Sequence, residues 1–407
     1  MSIVPDHRPL DGLLAAAHAL APELHDLRRR LHRIPEVGLD LPKTQAAVLD
    51  ALDGLDLEVT TGSALSSVTA VLRGARPGPT VLLRADMDAL PVTEDSTDVA
   101  RSEHEGVMHA CGHDFHMAGL IGAARLLHER REEIAGSVVL MFQPGEEGKH
   151  GARFMIDEGV LDASGERATA AYGLHVFSSG YPAGVATARA GTEFAAVDTL
   201  HVTVHGVGGH GSAPHRAQDP IPVAAEIVLA LQAAVTRQFS IFDPVVVTVG
   251  RIVAGTKDNI IPATAHLDAT VRTFSAETHG VIEERLRRVV HHVAAAHGLR
   301  AEIDWEQGYP TTDNDPAEVD RVARVSTTLL GEQGYVTMAD PVAGAEDFSY
   351  VLQEVPGAYL ILGATPQGLD PATAAYNHSP HATFDESALP IGSAILAGLA
   401  LDRLTNA

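Results

Sequence analysis

The spacing of apolar residues predicts helices and strands that alternate through the first half of the chain. Leucines recur roughly every three to four residues between positions 11 and 34, which predicts a helix that ends at Pro35. Short, continuous apolar runs predict strands that helices cover on both faces. The predicted strands are residues 68–72, 80–84, 137–142 and 168–176, and a predicted helix spans residues 112–131.

A different pattern begins near Ala190. Apolar and polar residues alternate from Asp198 to His205, which predicts a half-exposed antiparallel strand. The elements that follow occur in the order helix, strand, strand, helix, strand. This βαββαβ order predicts a compact, ferredoxin-like α+β insert of about a hundred residues. After Tyr309 we expect the chain to return to the first domain.

Composition narrows the range of functions. The chain has 407 residues, more than a single hydrophobic core usually serves, so two domains are expected. Its net charge of −24 argues against nucleic acid and anionic membranes as partners. The N-terminus lacks the basic start and apolar segment of a signal peptide, and no apolar run has the length of a membrane span. Together with the single cysteine, these features predict a protein of the reducing cytoplasm.

The clearest candidate for metal chemistry is the run from Met108 to Met117, which contains the single cysteine, Cys111, and His113 two residues later. Thiolate and imidazole groups bind borderline-soft transition metals. A lone cysteine cannot form an internal disulfide. A buried structural thiol is the alternative, but the neighbouring histidines favour metal binding. Gly112 allows the backbone to turn between the two side chains.

Further polar residues follow the predicted strands, where the ligand sites of open α/β sheets gather. Asp86 and Asp88 follow the second strand, although a turn ahead of the next proline would also explain them. Glu146 and Glu147 follow the third strand. Because neighbours on an extended segment point in opposite directions, one glutamate can bind a metal while the other acts as a general base. His175 ends the fourth strand, and the convergence of these strand ends predicts one site.

The insert and the C-terminal region contribute further candidates. A glycine-rich loop holds His210, and it lacks the lysine of a phosphate-binding loop. The loop is either a flexible turn or a lid that brings His210 and Asn259 to an oxyanion. Arg272 would then hold a substrate carboxylate. His378 and His381 lie in a polar turn before the C-terminal helix and are late ligand candidates.

This combination resembles the M20 family of zinc-dependent amidohydrolases, specifically its aminoacylase, hippurate hydrolase and indole-3-acetyl-amino acid hydrolase branch. The resemblance implies an α/β catalytic domain, residues 1–190 and 308–407, with a mixed, helix-covered, zinc-exopeptidase-like sheet. It also implies an inserted α+β lid and dimerisation domain, residues 191–307, of ferredoxin-like layout. Each matching segment is weak evidence alone, but the segments occur in the family's order and cover nearly the whole chain. They are Arg84–Pro91, Met108–Asp114, Gln143–Gly148, Gly208–His215, Asn259–Pro262, Ala345–Ser349 and His378–Pro380.

The resemblance further implies a site with two divalent ions, Zn²⁺ or Mn²⁺, with Co²⁺ and Ni²⁺ as alternatives. Glu146 resembles the family's catalytic base, and Asp88 resembles a support of the site. His210 and Asn259 resemble oxyanion partners that reach the site of the other subunit in a homodimer. Arg272 is similar to the arginine that holds the substrate carboxylate. The residues that resemble the metal ligands are Cys111, His113, Glu147, His175 and His378.

The implied reaction is hydrolysis of N-acyl-L-amino acids of the hippurate, N-acetyl or indoleacetyl type, by a metal-activated water, to a carboxylic acid and a free amino acid. A dipeptidase or carboxypeptidase, an N-acetyl-diaminopimelate deacetylase, and a metal-containing binding protein without activity are the alternatives. Three residues depart from the family's usual ones: Gly145 stands where alanine is common, Phe115 where glycine is common and Asn377 where leucine is frequent. None removes a ligand or the base, and the last two bear on the substrate pocket.

Overall fold

The computed structural model describes residues 10–96 and 99–405, and it divides the chain into two compact units. The first unit contains the described residues up to Glu193, then Asp313–Asp340 and the residues from Asp347 onward. The second unit contains Phe194–Thr312 and Pro341–Glu346. The sequence analysis assigned Pro341–Glu346 to the last part of the catalytic domain, whereas it groups with the second unit. The N-terminal residues used in the signal-peptide argument lie outside the described residues.

The elements follow the predicted alternation, with several short strands that the apolar pattern did not reveal. The α-helices are α1 Leu13–Ala19, α2 Ala21–Arg33, α3 Pro42–Leu52, α4 His113–Glu129, α5 Gly151–Asp157, α6 Pro220–Gln238, α7 Ala276–Ala296, α8 Pro316–Leu330, α9 Ser349–Glu354 and α10 Leu389–Thr405. The strands are β1 Glu58–Thr61, β2 Val68–Arg73, β3 Arg76–Asp86, β4 Ala135–Gln143, β5 Ala168–Pro182, β6 Ala186–Ala188, β7 Gly191–Phe194, β8 Ala196–His205, β9 Gly209–His210, β10 Val245–Ala254, β11 Ile260–Ile261, β12 Thr264–Thr273, β13 Arg300–Gln307, β14 Thr312–Asn314, β15 Tyr335–Thr337 and β16 Gly357–Thr365.

The first unit is built on an eight-stranded mixed sheet with the strand order β1-β2-β4-β3-β5-β16-β6-β15. Strands β4, β3, β5 and β16 are mutually parallel, and β2 pairs with β4 in the antiparallel direction. The mixed, helix-covered α/β sheet that the resemblance implies is therefore confirmed. Because β3 and β4 are adjacent and parallel, the residues that follow them emerge at the same edge of the sheet.

Helices α4 and α10 form the centre of the helical layer and bury most of their side chains. The apolar residues of α1, α2 and α3 join the same hydrophobic core. The single helix predicted between positions 11 and 34 is wrong, because the chain forms two helices that meet at Leu20. Pro22 lies in the first turn of α2, a position that tolerates the missing backbone N–H of proline.

The second unit is a four-stranded antiparallel sheet with the order β10-β12-β8-β13. Strand β8 buries every second residue, as its alternating sequence predicts, and Leu200, Val202 and Val204 are its central buried residues. Helices α6 and α7 contact each other, and their buried residues share a core with the sheet. The elements follow the βαββαβ order that was predicted for the insert.

Two helices are long and apolar enough to meet a length and hydropathy criterion for membrane spans, although the sequence analysis identified none. They are Pro220–Gln238 and Glu386–Thr405, and 83% of the apolar window in the second is buried within the structure. The apolar side of Pro220–Gln238 packs into the core of the second unit through Val223, Ile227 and Leu231. The second helix is therefore a core helix, whereas the first, of whose apolar window 33% is buried, buries one side only.

Candidate metal centre

Five side chains that can bind metals converge at one edge of the eight-stranded sheet. We refer to Cys111, His113, Glu147, His175 and His378 as the ligand cluster. In two groups that share Cys111, one with His113 and His175 and one with Glu147 and His378, the candidate ligand atoms lie within 4.8 Å of one another. The Sγ atom of Cys111 is 3.4 Å from Nε2 of His175 and 3.2 Å from Nε2 of His378, and Nε2 of His378 is 3.2 Å from Oε1 of Glu147. Residues from the first third and the last tenth of the chain thus meet.

Cys111 and His113 are held at the N-terminus of α4 by a glycine that nothing larger can replace. Gly112 has a φ of 86°, in the left-handed region. A Cβ atom at this position would lie 2.4 Å from a side-chain carbon of Val176. The backbone can therefore turn between the two ligands and still pack against β5.

His175 lies within β5, because the strand continues to Pro182, so its predicted position at a strand end is wrong. Its Nδ1 donates a hydrogen bond of 2.9 Å to the carbonyl oxygen of Val176. A carbonyl can only accept, so the ring proton resides on Nδ1. Nε2 therefore carries a lone pair and faces the sulfur of Cys111, as a metal ligand requires.

Asp88 organises the turn that carries both glutamates. Its Oδ1 accepts from the backbone N–H of Glu146 at 2.9 Å and its Oδ2 from that of Glu147 at 3.0 Å. The two glutamates lie in this turn and not on an extended segment, so the argument that they point in opposite directions is wrong. Their carboxylates instead form one group with His113. The structure therefore places Asp88 behind the site and Glu146 beside the ligand cluster.

His378 adopts a backbone conformation that is uncommon for a residue with a side chain. Its φ is 72°, which costs an L-residue roughly 1–2 kcal/mol. The N–H of His378 donates to the carbonyl of Ala110 at 2.9 Å, next to Cys111. Backbone strain of this kind persists where surrounding contacts enforce it, and it often occurs at functional sites.

The ligand cluster lies in a negative environment. Burial lowers the pKa of His113, but the carboxylates of Asp86 and Asp88 outweigh this effect and raise it to about 10. Burial raises the pKa of the Cys111 thiol well above its usual range, and Glu147 raises it further. Such an environment favours a positive charge, and a divalent cation would provide it while stabilising the thiolate.

The donor set fits a transition metal. Both ring nitrogens of His113 are fully buried and lack a hydrogen-bond partner among the described residues. Burial lowers the pKa of His175 well below its usual range, so this imidazole is neutral and able to bind a cation. One thiolate, three imidazoles and one carboxylate match the preferences of Zn²⁺ and related ions.

Three other histidines near the motif do not bring a free nitrogen to this cluster. Nε2 of His116 accepts from the backbone N–H of Val176 at 2.7 Å, and Nδ1 donates to Asp86 at 2.6 Å. Both nitrogens of His116 are thus engaged, although it lies close enough to form a group with Asp86 and His113. His109 belongs to none of the ligand groups found in residues 10–96 and 99–405. His381 is exposed, and its Nδ1 contacts the carbonyl of Asp95.

A second buried polar cluster underlies the site, and the sequence analysis missed it. We refer to Arg84, Asp86, Gln143 and Asp347 as the paired cluster. The guanidinium of Arg84 contacts Asp86 at 2.6 Å, Asp347 at 3.1 Å and Gln143 at 2.9 Å. Nε2 of Gln143 also donates to Asp347. A signal was present in the sequence, because a buried strand that contains Arg84 requires partners for its charge.

Three predicted site residues belong to the second unit. The short ladder between β9 and β11 brings His210 opposite Ile260, and the N–H of Gly211 donates to the carbonyl of Asn259 at 2.9 Å. Nδ1 of His210 accepts from the backbone N–H of Ser212 at 3.1 Å, so its ring proton resides on Nε2. His210 can therefore act as a hydrogen-bond donor. Arg272 is partly buried on β12.

Comparison with known proteins identifies the class of protein. Residues 82–402 match the sequence profile of Peptidase family M20/M25/M40. The chain belongs to this family, and the resemblance found in the motifs is confirmed.

Individual relatives span almost the whole chain. Thermostable carboxypeptidase 1 of Saccharolobus solfataricus is 38% identical over 379 residues, which cover 92% of this chain and 94% of the relative. IAA-amino acid hydrolase ILR1-like 2 of Arabidopsis thaliana is 36% identical, with coverages of 95% and 87%. The crystal structure of the Bacillus subtilis YXEP protein, described as a dinuclear metal binding peptidase from the M20 family, superposes with a TM-score of 0.81. It is 33% identical, with coverages of 95% and 99%. The protein is thus a hydrolase of the metal-dependent amidohydrolase and peptidase class.

Proposed function

We propose that the protein hydrolyses the amide bond of N-acyl-L-amino acids of the hippurate, N-acetyl or indoleacetyl type, and that its ligand cluster holds two divalent ions. The observation that carries this proposal is the convergence of the five ligand-cluster residues beside Glu146. Zn²⁺ and Mn²⁺ suit this donor set, and Co²⁺ and Ni²⁺ are alternatives. The similarity to an IAA-amino acid hydrolase supports the N-acyl amino acid class.

The bound ions would polarise the substrate carbonyl and acidify the attacking water. Cys111, His113, Glu147, His175 and His378 would hold them. The negative surroundings raise the affinity of this cluster for cations, and the fixed tautomer of His175 presents a lone pair to them.

Glu146 is the general base in this proposal. It is buried, and Asp88 fixes its backbone through the hydrogen bond to its N–H. Its carboxylate accepts a proton from the attacking water and passes it to the leaving amine nitrogen. We propose that the Nε2–H of His210, with Asn259, stabilises the negative charge that develops on the carbonyl oxygen. Arg272 would bind the substrate carboxylate.

We also propose a homodimer that forms through the second unit. Strand β10 lies at the edge of its sheet, and its outer side pairs with no other described strand. Exposed apolar residues occur on β10 and on α6, where Leu229 is 72% exposed. Unpaired edges and exposed apolar residues are typical of interfaces. Sedimentation analysis should give a dimer, and Leu229→Glu should shift it to a monomer; a monomeric wild type would contradict the proposal. A reducing cytoplasm is the proposed location, because it keeps Cys111 available as a ligand.

The test is metal analysis of the purified protein together with a hydrolysis screen. The panel contains hippurate, N-acetyl and indoleacetyl amino acids, and dipeptides. We expect bound divalent metal, cleavage of N-acyl amino acids and loss of cleavage with a chelator, with recovery when metal returns. Metal without hydrolysis of any compound would favour the metal-containing binding protein instead.

Peptide hydrolysis is the second candidate, because the similarity to a carboxypeptidase extends over 92% of the chain. An N-acetyl-diaminopimelate deacetylase would differ only in the pocket for the amino acid side chain. Comparing kcat/KM for dipeptides, N-acetyl-diaminopimelate and hippurate in one preparation separates the three. Higher values for dipeptides would replace the first proposal with the second.

A further inference from the structure

We propose that Asn377 is a positioning residue that fixes the geometry of the ligand cluster from behind. This inference rests on the metal site of the proposed function, but it does not depend on the substrate. Asn377 is buried, with 8% of its surface exposed, and it directly precedes His378. Its side chain joins three chain segments, each of which carries one ligand of the cluster.

The amide nitrogen of Asn377 faces two backbone carbonyls. Nδ2 donates to the carbonyl of Cys111 at 3.1 Å and to that of Val176 at 2.9 Å. It also lies 4.0 Å from the sulfur of Cys111. Because the amide has two N–H groups and the two carbonyls lie nearest, both of its hydrogens are used to bridge the segment before α4 to strand β5.

The amide oxygen of Asn377 faces donors only. Oδ1 accepts from the backbone N–H of Ser178 at 3.0 Å, and the Ser178 hydroxyl, whose one hydrogen is shared with the nearer carbonyl of Ala375 at 2.8 Å, also lies 3.0 Å away. With two carbonyls on one side and an N–H on the other, the amide has a single satisfied orientation. The N–H groups and the oxygen of the Asn377 amide all have partners within the protein, so the position of this side chain is tightly defined.

These contacts act directly on the ligands. The carbonyl of Val176 accepts from Asn377 and also from Nδ1 of His175, so Asn377 helps to hold the carbonyl that selects the tautomer of this ligand. The carbonyl of Cys111 belongs to the thiolate ligand itself. His378 follows Asn377 in a left-handed conformation, which the anchored Asn377 side chain helps to maintain. Loss of the amide would release three ligand-bearing segments at once.

The test compares Asn377→Leu with the matched control Ser178→Ala in the Co²⁺-loaded protein. Leucine has a similar volume but no donors or acceptors, whereas Ser178→Ala removes one contact to Oδ1 and leaves both carbonyl contacts intact. We expect Asn377→Leu to weaken Co²⁺ affinity in chelator competition by about 10- to 100-fold, the usual effect of losing a partner behind a ligand. At saturating metal, its thiolate-to-cobalt charge-transfer band should be shifted or weakened. Ser178→Ala should remain within about threefold of wild type.

A purely structural role would lower thermal stability without changing the spectrum of the saturated protein. Unchanged affinity and an unchanged charge-transfer band in Asn377→Leu would therefore overturn the proposal. If Asn377→Leu does not fold, Asn377→Ala gives the result, because it removes both N–H groups without adding a charge and should also weaken Co²⁺ binding and alter the band. Full affinity in that variant would equally contradict it. Since the readout is metal binding, absence of hydrolysis would affect the proposed function and leave this test intact.

Discussion

The ligand cluster and the paired cluster are neighbours in the first unit, and both are charged. The paired cluster is fully buried, whereas the ligand cluster is buried at Cys111, His113 and His175, partly buried at Glu147 and exposed at His378. In the paired cluster, Arg84 lies between Asp86 and Asp347, and Gln143 contacts both Arg84 and Asp347. In the ligand cluster, the ring nitrogens of His113 lack hydrogen bonds within the described chain, and the nearest carboxylate oxygens lie 3.6 Å away. A cluster that satisfies its own charges is complete as a structural element. One that brings a thiol, imidazoles and a carboxylate to within 3.2–3.4 Å of one another, and leaves both ring nitrogens of a further histidine without hydrogen bonds among the described residues, is organised for an ion.

His109 shows that a missing hydrogen bond alone does not define a site. Its two ring nitrogens also lack partners among the described residues, and burial lowers its pKa to about 3. It is therefore a neutral, buried ring. The distinguishing feature of His113 is the approach of other ligand atoms within 4.8 Å. His113 therefore differs from His109 in the number of candidate ligand atoms around it, and not in its missing hydrogen bonds.

The largest expected effect is on turnover. Glu146→Gln keeps the shape of the side chain but removes the group that accepts the proton, so kcat should fall by about 10²- to 10⁴-fold. Metal content should remain that of wild type, because Glu146 is not needed to hold the ions. Steady-state kinetics and elemental analysis on the same sample measure both quantities. Turnover at a substantial fraction of wild type would remove Glu146 from the role of base.

Replacing Arg84 in the paired cluster should lower the free energy of unfolding. Arg84→Met leaves Asp347 buried without its cation and removes the guanidinium from Asp86, which keeps His113 and His116, and breaking a buried pair in this way costs about 3–5 kcal/mol. Urea unfolding measures the change in the free energy of unfolding. Arg30→Met, which breaks the exposed pair with Asp50, is the matched control and should cost less than about 1 kcal/mol. Equal costs for the two variants would show that the paired cluster is not a structural unit.

Added metal should stabilise the protein through the ligand cluster and not through the paired cluster. Zn²⁺ or Mn²⁺ at about a hundred times its dissociation constant should raise the free energy of unfolding by about 2.7 kcal/mol, because the ion binds the folded state. His175→Ala should lose most of this increment, whereas Arg84→Met should retain it on a lower baseline. Thermal unfolding with and without metal checks both. An increment that survives in His175→Ala would place the ion elsewhere.

Site residues that belong to a local sequence pattern could be predicted, whereas residues whose role depends on tertiary contacts could not. The five candidate ligands could be named from the sequence because the cysteine–histidine run, the residues after predicted strands and the polar turn before the C-terminal helix stood out, and the resemblance joined them. His116 lies three residues after His113 on the same side of α4, and that spacing was the one available signal of its proximity. Asn377 gave no such signal, since its partners on β5 and before α4 are far away in sequence. The turn at Glu146 was misjudged because hydrogen bonds to Asp88 shape it.

Glu193 is a third case for the comparison, a buried carboxylate that forms no ion pair among the described residues and belongs to no group of candidate metal ligands. Its Oε2 accepts from Asn314 at 2.6 Å and from the backbone N–H of Arg189 at 3.0 Å, while Oε1 has no hydrogen-bond partner in the described chain. Burial raises its pKa from 4.5 to about 8, and the two hydrogen bonds offset this only in part. The folded protein therefore retains a proton that the unfolded chain releases. Stability should fall as the pH rises from 4.5 towards about 8 and then level off.

Glu193→Gln mimics the protonated form of the side chain and should remove the fall in stability with rising pH. The variant should be more stable than wild type by about 1–3 kcal/mol near pH 8, with the difference shrinking towards pH 5, because part of the full shift is relieved by relaxation. Urea unfolding at several pH values measures it. Glu158→Gln is the control of opposite sign: slight desolvation raises the pKa of the exposed Glu158, but hydrogen bonds from Ser63 and Ala64 outweigh this and lower it, so this variant should be slightly less stable at neutral pH. A difference between Glu193→Gln and wild type that does not vary with pH would show that Glu193 keeps its charge when folded, and that partial pairing is enough to hold a buried carboxylate ionised.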